Sequence, residues 1–240
     1  MSRILYLDSE CVVVNKLAGE AVEGAAAGMG DLPRMIADAL ERDGGKFAAA
    51  LPRGLPAAVH RLDVPVSGCA LFALTPHALA FLSAAFSGEK SAGAAPAVEK
   101  HYWAITEKPQ KEIAPAAALT HWIQFDAKKN KSFAFDEGGP GRKKAELKYR
   151  LAGTGTNYLF FDVELITGRH HQIRCQFERV GLRIKGDLKY GARRSELNGG
   201  IRLHARSLAF PNPSGGERIR VQADPPSLDN LWKFFLEISQ

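Results

Sequence analysis

The sequence predicts an α+β protein with a largely antiparallel sheet. Two observations carry this. Strand-like and helix-spaced segments alternate irregularly along the chain, and short strands flank a tight turn at Asp8-Ser9-Glu10. The 240 residues show no internal repeat and no strong domain boundary, and they suffice for one sizeable core or two packed lobes.

The elements follow in order. Ile4–Leu7 and Cys11–Val14 have strand composition, and Gly24–Gly30 is small-residue loop. Leu32–Glu41 carries Met35, Ile36, Ala39 and Leu40 at helical spacing, with Gly44-Gly45 as a stop. Cys69–Leu74 reads as a buried strand. Thr75-Pro76 supplies an N-cap and a first-turn proline to a helix with Leu79, Leu82 and Phe86 on its apolar face and Gly88 at its end. Glu89–Ala97 is loop and Tyr102–Ile105 a strand. A Pro- and Lys-containing segment of low regularity runs from Glu107 to Arg142. Tyr158–Ile166 is a strand broken by Thr167-Gly168. His171–Val180 is a helix presenting Ile173, Phe177 and Val180, with Gly181 as its stop. Leu203–Phe210 is a strand, and Leu228–Ile238 an amphipathic helix through Leu231, Trp232, Phe235 and Leu236.

Composition narrows the function classes. It is ordinary for a globular protein, and no apolar run is long enough to span a bilayer. Acidic residues stand in MSRILYLDSE where a secretory signal would be apolar, which points to the cytoplasm. Cys11, Cys69 and Cys175 lie far apart without metal-ligand spacing and read as reduced thiols. A net charge of +6 favours a polyanionic partner.

Three stretches carry reactive side chains. His60-Arg61-Leu62-Asp63-Val64-Pro65-Val66-Ser67-Gly68 places a carboxylate beside a cation, just before a buried strand. An ionised carboxylate so held can act as a nucleophile, although residue types alone favour a turn cap or a surface pair with Arg61. Thr167-Gly168-Arg169-His170-His171-Gln172-Ile173-Arg174 loads a strand end and a helix start with donors, which suits phosphates or carboxylates, or a solvated basic patch. Its two histidines point apart on a helix and lack a third zinc ligand. In Lys100-His101-Tyr102-Trp103-Ala104-Ile105, alternation puts Tyr102 and Ala104 on one face and His101 and Trp103 on the other; Tyr102 could stack on a base or simply pack.

Together these stretches resemble the RluA family of RNA pseudouridine synthases. The family motif around the nucleophile reads HRLD, two variable residues, then a threonine or serine before SG, and it stands here as His60 to Gly68. The basic motif usually reads TGRTHQIR, and here His170 replaces its second threonine. Val14-Asn15-Lys16-Leu17-Ala18-Gly19, Gly186-Asp187 with Tyr190-Gly191, and Leu203-His204-Ala205 through Leu208 to Phe210-Pro211 also match, in order. Departures are Val64-Pro65-Val66 in the nucleophile motif, Leu17 after Lys16 where proline is usual, and Cys175-Gln176 after Arg174.

The resemblance implies a single α+β catalytic domain over residues 1–240, a mixed, mainly antiparallel sheet with flanking helices around a central RNA-binding cleft. No separate RNA-binding domain is expected before it. It implies isomerisation of specific uridines in structured RNA, ribosomal or transfer, to pseudouridine by a monomer, without membrane, cofactor or metal. Asp63 is expected as nucleophile, Arg174 as its paired cation and Tyr102 as the aromatic stacked on the target base. Arg61 is expected to help hold the nucleotide flipped, with His60, Arg169, His171 and Gln172 contributing to substrate binding. Lys128, Lys129, Lys131, Arg142, Lys143 and Lys144 could grip phosphates. Two competing readings are an RNA-binding protein of this fold without catalysis, and a hydrolase using Cys69 or Ser67 with His60.

Overall fold

The structure is a computed structural model that describes residues 3–26, 30–42, 56–87 and 98–239. In chain order its elements are β1 (Ile4–Leu7), β2 (Cys11–Lys16), β3 (Glu20–Ala21), β4 (Gly30–Asp31), α1 (Leu32–Arg42), β5 (Ala57–Ala58), β6 (Ser67–Ala73) and α2 (Pro76–Ser87). Then follow β7 (Glu99–Glu107), β8 (Ala116–Asp126), β9 (Lys131–Phe135), β10 (Lys143–Thr154), β11 (Tyr158–Leu165) and α3 (Gln172–Arg179). The last are β12 (Arg183–Ile184), β13 (Leu203–Phe210), β14 (Ile219–Gln222) and α4 (Asn230–Ile238). The chain divides into two compact units, Met1–Glu99 with Ala205–Pro226, and Lys100–His204 with Ser227–Gln240.

In the first unit β1 pairs antiparallel with β2, β2 with β6, β5 with β6, and β14 with β13. Strand β6 is buried along its whole length. Cys69, Leu71 and Ala73 on one of its faces pack with Cys11 and Val13 of β2, Ala78 and Leu82 of α2, and Leu208 and Phe210 of β13. The expected cap of α2 is present: Thr75 Oγ1 accepts from the Ala78 amide at 3.0 Å. The two-residue pair β3–β4 is parallel.

In the second unit the strand order is β7-β11-β10-β8-β9, antiparallel throughout, with β12 against β7. Helix α4 seats Trp232 and Phe235 against Trp103, Ile105 and Phe160; the Trp103 and Phe235 rings stack at 4.3 Å. Asp229 caps α4 by accepting from the Trp232 amide at 3.1 Å. Helix α3 lies near Ile123, Ala145 and Tyr190 through Cys175.

The α+β, mainly antiparallel expectation holds. So do the helices, within a residue or two at their ends, and the strands expected over 4–14, 69–74, 102–105, 158–166 and 203–210. The low-regularity reading of Glu107–Arg142 is corrected: it contains the β8–β9 hairpin, Trp122 opposite Phe135 and Asp126 opposite Lys131. Buried His121 hides the period-two pattern there, since its inward neighbours Leu119 and Ile123 are apolar. Strand β10, over a stretch with no sequence-based assignment, alternates inward Ala145, Leu147 and Tyr149 with outward Lys144, Lys148 and Arg150. The stops at Gly44-Gly45 and Gly88, the loop Glu89–Ala97 and part of Gly24–Gly30 lie outside the described residues.

Candidate active site

In the first unit, Asp63 sits half-buried on the loop entering β6, and Arg61 is exposed. Three features fix this loop. Val66 N donates to Asp63 O at 3.0 Å, closing a turn over Val64-Pro65. Gly68 has φ +115°, and a Cβ there would lie 2.3 Å from the backbone oxygen of Ala205, so only glycine fits. The third is Lys16 at the end of β2, which is fully buried. Its ammonium donates to the carbonyls of Val66 (2.6 Å), Leu17 (3.0 Å), Val64 (3.1 Å) and Asp63 (3.2 Å). Burial pushes the Lys16 pKa down to about 8, with the Glu20 and Asp63 carboxylates opposing. A lysine here ties backbone to backbone across 47 residues of sequence. The family match marks Lys16 by position, but nothing in the sequence reveals this role.

His60 Nε2 accepts from the Leu71 amide at 3.1 Å, and its ring stacks on Phe86 at 4.9 Å. The Cys69 thiol is buried and pushed up to about 12 by that burial. A buried thiol held protonated, and a histidine whose Nε2 accepts from the backbone, do not support the hydrolase reading.

In the second unit, Tyr102 lies in β7, nearly buried, opposite Val163 of β11. The basic motif folds as a tight turn leading into α3, and Gln172 holds that turn together. Its Oε1 accepts from Thr167 Oγ1 (2.7 Å) and the Arg169 amide (2.9 Å), and its Nε2 donates to Glu146 O (3.0 Å). Arg169 is exposed and donates through Nε to Lys144 O at 3.1 Å. The histidines do not diverge on a helix as expected. His171 precedes α3 in a left-handed conformation (φ 54°), which stacks its ring on His170 at 3.8 Å. Its Nδ1 lies 2.9 Å from the Tyr190 hydroxyl.

Arg174 is buried, and it donates through Nε (2.6 Å) and a terminal nitrogen (2.8 Å) to the two carboxylate oxygens of Asp187, itself buried. Its guanidinium carbon stands 4.9 Å from the Tyr190 ring centre. One bidentate edge of this arginine is therefore committed within its own unit, which fixes the plane of the guanidinium. Sequence reasoning places Asp187 and Tyr190 in a matching motif but gives neither a role. Among the described residues no group of His, Cys, Asp or Glu side chains could hold a metal ion, and no helix is long and apolar enough to cross a membrane.

The fold and these motifs define a class of enzyme acting on RNA bases, and comparison with known proteins identifies it. Residues 10–179 match the family model described as RNA pseudouridylate synthase. A ribosomal large subunit pseudouridine synthase D from Zymomonas mobilis is 28% identical over 97% of this chain and 72% of its own length. An uncharacterised RNA pseudouridine synthase from Chlorobaculum parvum is 31% identical over 93% of this chain and 70% of that protein. The solved structure of human RNA Pseudouridylate Synthase Domain Containing 4 shares the fold, with a TM-score of 0.69 at 20% identity over 99% of this chain and 92% of that one. The chain belongs to the RNA pseudouridylate synthases, isomerases that convert uridine in RNA to pseudouridine. Within them it is of the RluA type.

Proposed function

We propose that this isomerase acts on large-subunit ribosomal RNA, with Asp63 as nucleophile toward the target uridine. The observation that carries the assignment of Asp63 is its half-exposed side chain on a backbone that Lys16 holds from behind. A nucleophile gains from fixed aim. In the overall change the N1–C1′ bond breaks, a C5–C1′ bond forms, the C5 proton leaves and N1 gains one.

Arg174 serves as the cation paired with the Asp63 nucleophile, and Asp187 sets the plane of its guanidinium. Tyr102 stacks on the target base. Arg61 and Arg169, both exposed, contact the RNA directly. His60, His171 and Gln172 support those contacts through the backbone and ring bonds they make. Flipping the uridine out costs on the order of a few kcal/mol, which exposed arginines help to offset. The two compact units work as one catalytic domain, in a cytoplasmic monomer.

The ribosomal assignment is supported by the names of two relatives, the large-subunit synthases D of Zymomonas mobilis and C of Vibrio parahaemolyticus. The net charge of +6 suits a polyanion. Pseudouridine mapping in RNA from cells with and without the gene tests it. Loss of sites in large-subunit ribosomal RNA supports the proposal; loss confined to transfer RNA overturns it.

A further inference from the structure

Phe125 is the one aromatic ring among the exposed large apolar side chains of the described residues, at 49% exposure. It stands one residue before the end of β8, opposite Ser132 of β9. It is not a loose side chain. Its ring meets His170 edge-on at 4.4 Å. His170 Nδ1 lies 2.8 Å from Ser132 Oγ, and its ring stacks on His171, which Tyr190 holds. A continuous aromatic run thus extends from Phe125 through His170 and His171 to Tyr190, the ring beside Arg174.

The chain from the end of β8 into β10 carries net positive charge. Between residues 126 and 144 the chain carries Lys128, Lys129, Lys131, Arg142, Lys143 and Lys144 against Asp126, Asp136 and Glu137. Lys189 donates to Asn130 O at 2.9 Å and so steadies the hairpin turn. Arg169, the residue before His170, repels Lys100 and helps lower its pKa, second to burial. An exposed ring next to a hairpin of net positive charge is poorly suited to another apolar surface. It suits a ligand with a flat π-face and an anionic backbone. His170 is also where this chain departs from the usual threonine of the basic motif.

We infer that the Phe125–His170 pair is a stacking platform for an unpaired base flanking the target uridine, with the β8–β9 cations holding the adjoining phosphates. The inference rests on the proposal that the enzyme acts on a flipped-out uridine in ribosomal RNA.

Two assays on the full chain test it: binding of fluorescein-labelled heptauridylate at several salt concentrations, and tritium release from 5-tritiated uridine in total RNA of cells lacking the gene. Phe125→Ala and Phe125→Leu should each weaken heptauridylate binding at least about five-fold, the low end for one base on one ring. They should raise KM with kcat nearly unchanged. Phe125→Trp should bind like wild type, and His170→Thr should fall between. All four should keep the wild-type slope of log affinity against log salt, because stacking releases few counterions. Leucine binding as well as phenylalanine would overturn the platform, since apolar contact without a π-face would then suffice. Wild-type binding by Phe125→Ala, or a flattened salt slope in it, would overturn it too. A wild-type enzyme releasing no tritium would count against the proposed function, while the heptauridylate arm would still decide the platform.

Discussion

At the scale of single residues, the proposed site separates into groups assigned the chemistry and groups that hold them. Asp63→Asn removes the anionic oxygen while keeping the shape, so pseudouridine formation should fall below detection with the unfolding midpoint nearly unchanged. Turnover near the wild-type rate would remove Asp63 from the mechanism. Asp187 is the more informative position. Asp187→Asn leaves the Arg174 guanidinium buried without its carboxylate, an arrangement that costs about 3–5 kcal/mol of stability. Below the new melting point kcat should drop far more than KM rises, because the aim of Arg174 is lost and not its presence. A variant with full kcat would show that the pair is only scaffolding. Asp63 and Arg174 were marked as candidates by the sequence because each lies inside a dense local motif. Lys16 and Asp187 were not, because their work is done on partners 47 and 13 residues away, and motif position names a residue type without naming what it touches.

At the scale of elements, the path of β6 depends on one glycine. Gly68 combines φ +115° with backbone atoms of Ala205 at 2.3–2.7 Å from where a Cβ would stand. Gly24 also has a positive φ, +61°, but nothing lies within 4 Å of its missing Cβ. Gly24→Ala should therefore cost about 1 kcal/mol, the strain of the left-handed conformation alone. Gly68→Ala should cost several times that, because β6 must shift against β13. Urea unfolding of the two variants compares them directly, and equal losses would mean that β6 moves freely. Helix α4 could be read from sequence because one face of it is apolar, and Cys11–Val14 because it is a short, wholly apolar run of mostly β-branched residues. The β8–β9 hairpin could not. Its buried His121 is satisfied by Gln176 at 3.0 Å, a contact 55 residues distant, so a polar residue stands where the pattern requires an apolar one.

At the scale of the whole molecule, the antiparallel α+β plan was readable but the division into two compact units was not. The segment Ala205–Pro226 returns to the unit of the N-terminal residues without a linker or change of composition to announce it. The interior also sets how the protein meets alkaline solution. Burial raises the pKa of all three thiols, Cys69 and Cys175 from 9.0 to about 12 and Cys11 in the same direction. A group whose pKa is raised on folding contributes stability that is complete below its unfolded value, near 9, and is lost as pH climbs toward its folded value. Lys16 works oppositely. Its pKa falls from 10.5 to about 8, so folding is penalised below pH 8 and the penalty is relieved between 8 and 10.5. Between pH 8 and 9 the thiols are still largely protonated and the relief of the buried lysines, Lys16 first, acts before them, so stability should hold or rise slightly. Above pH 9 the three thiols oppose Lys16 together with Lys100 and Lys185, whose pKa values burial also lowers. From pH 10 Tyr6, Tyr149 and Tyr190, raised by burial, join the thiols. Each fully engaged group contributes on the order of 1.4 kcal/mol per pH unit, so stability should fall most steeply as pH passes 10. Urea unfolding under reductant at half-unit steps from pH 8 to 10.5 measures this curve. The double variant Cys69→Ala, Cys175→Ala should start less stable at pH 8 yet lose less between 9 and 10.5. A double variant with the wild-type slope would place the alkaline loss elsewhere than in the buried thiols.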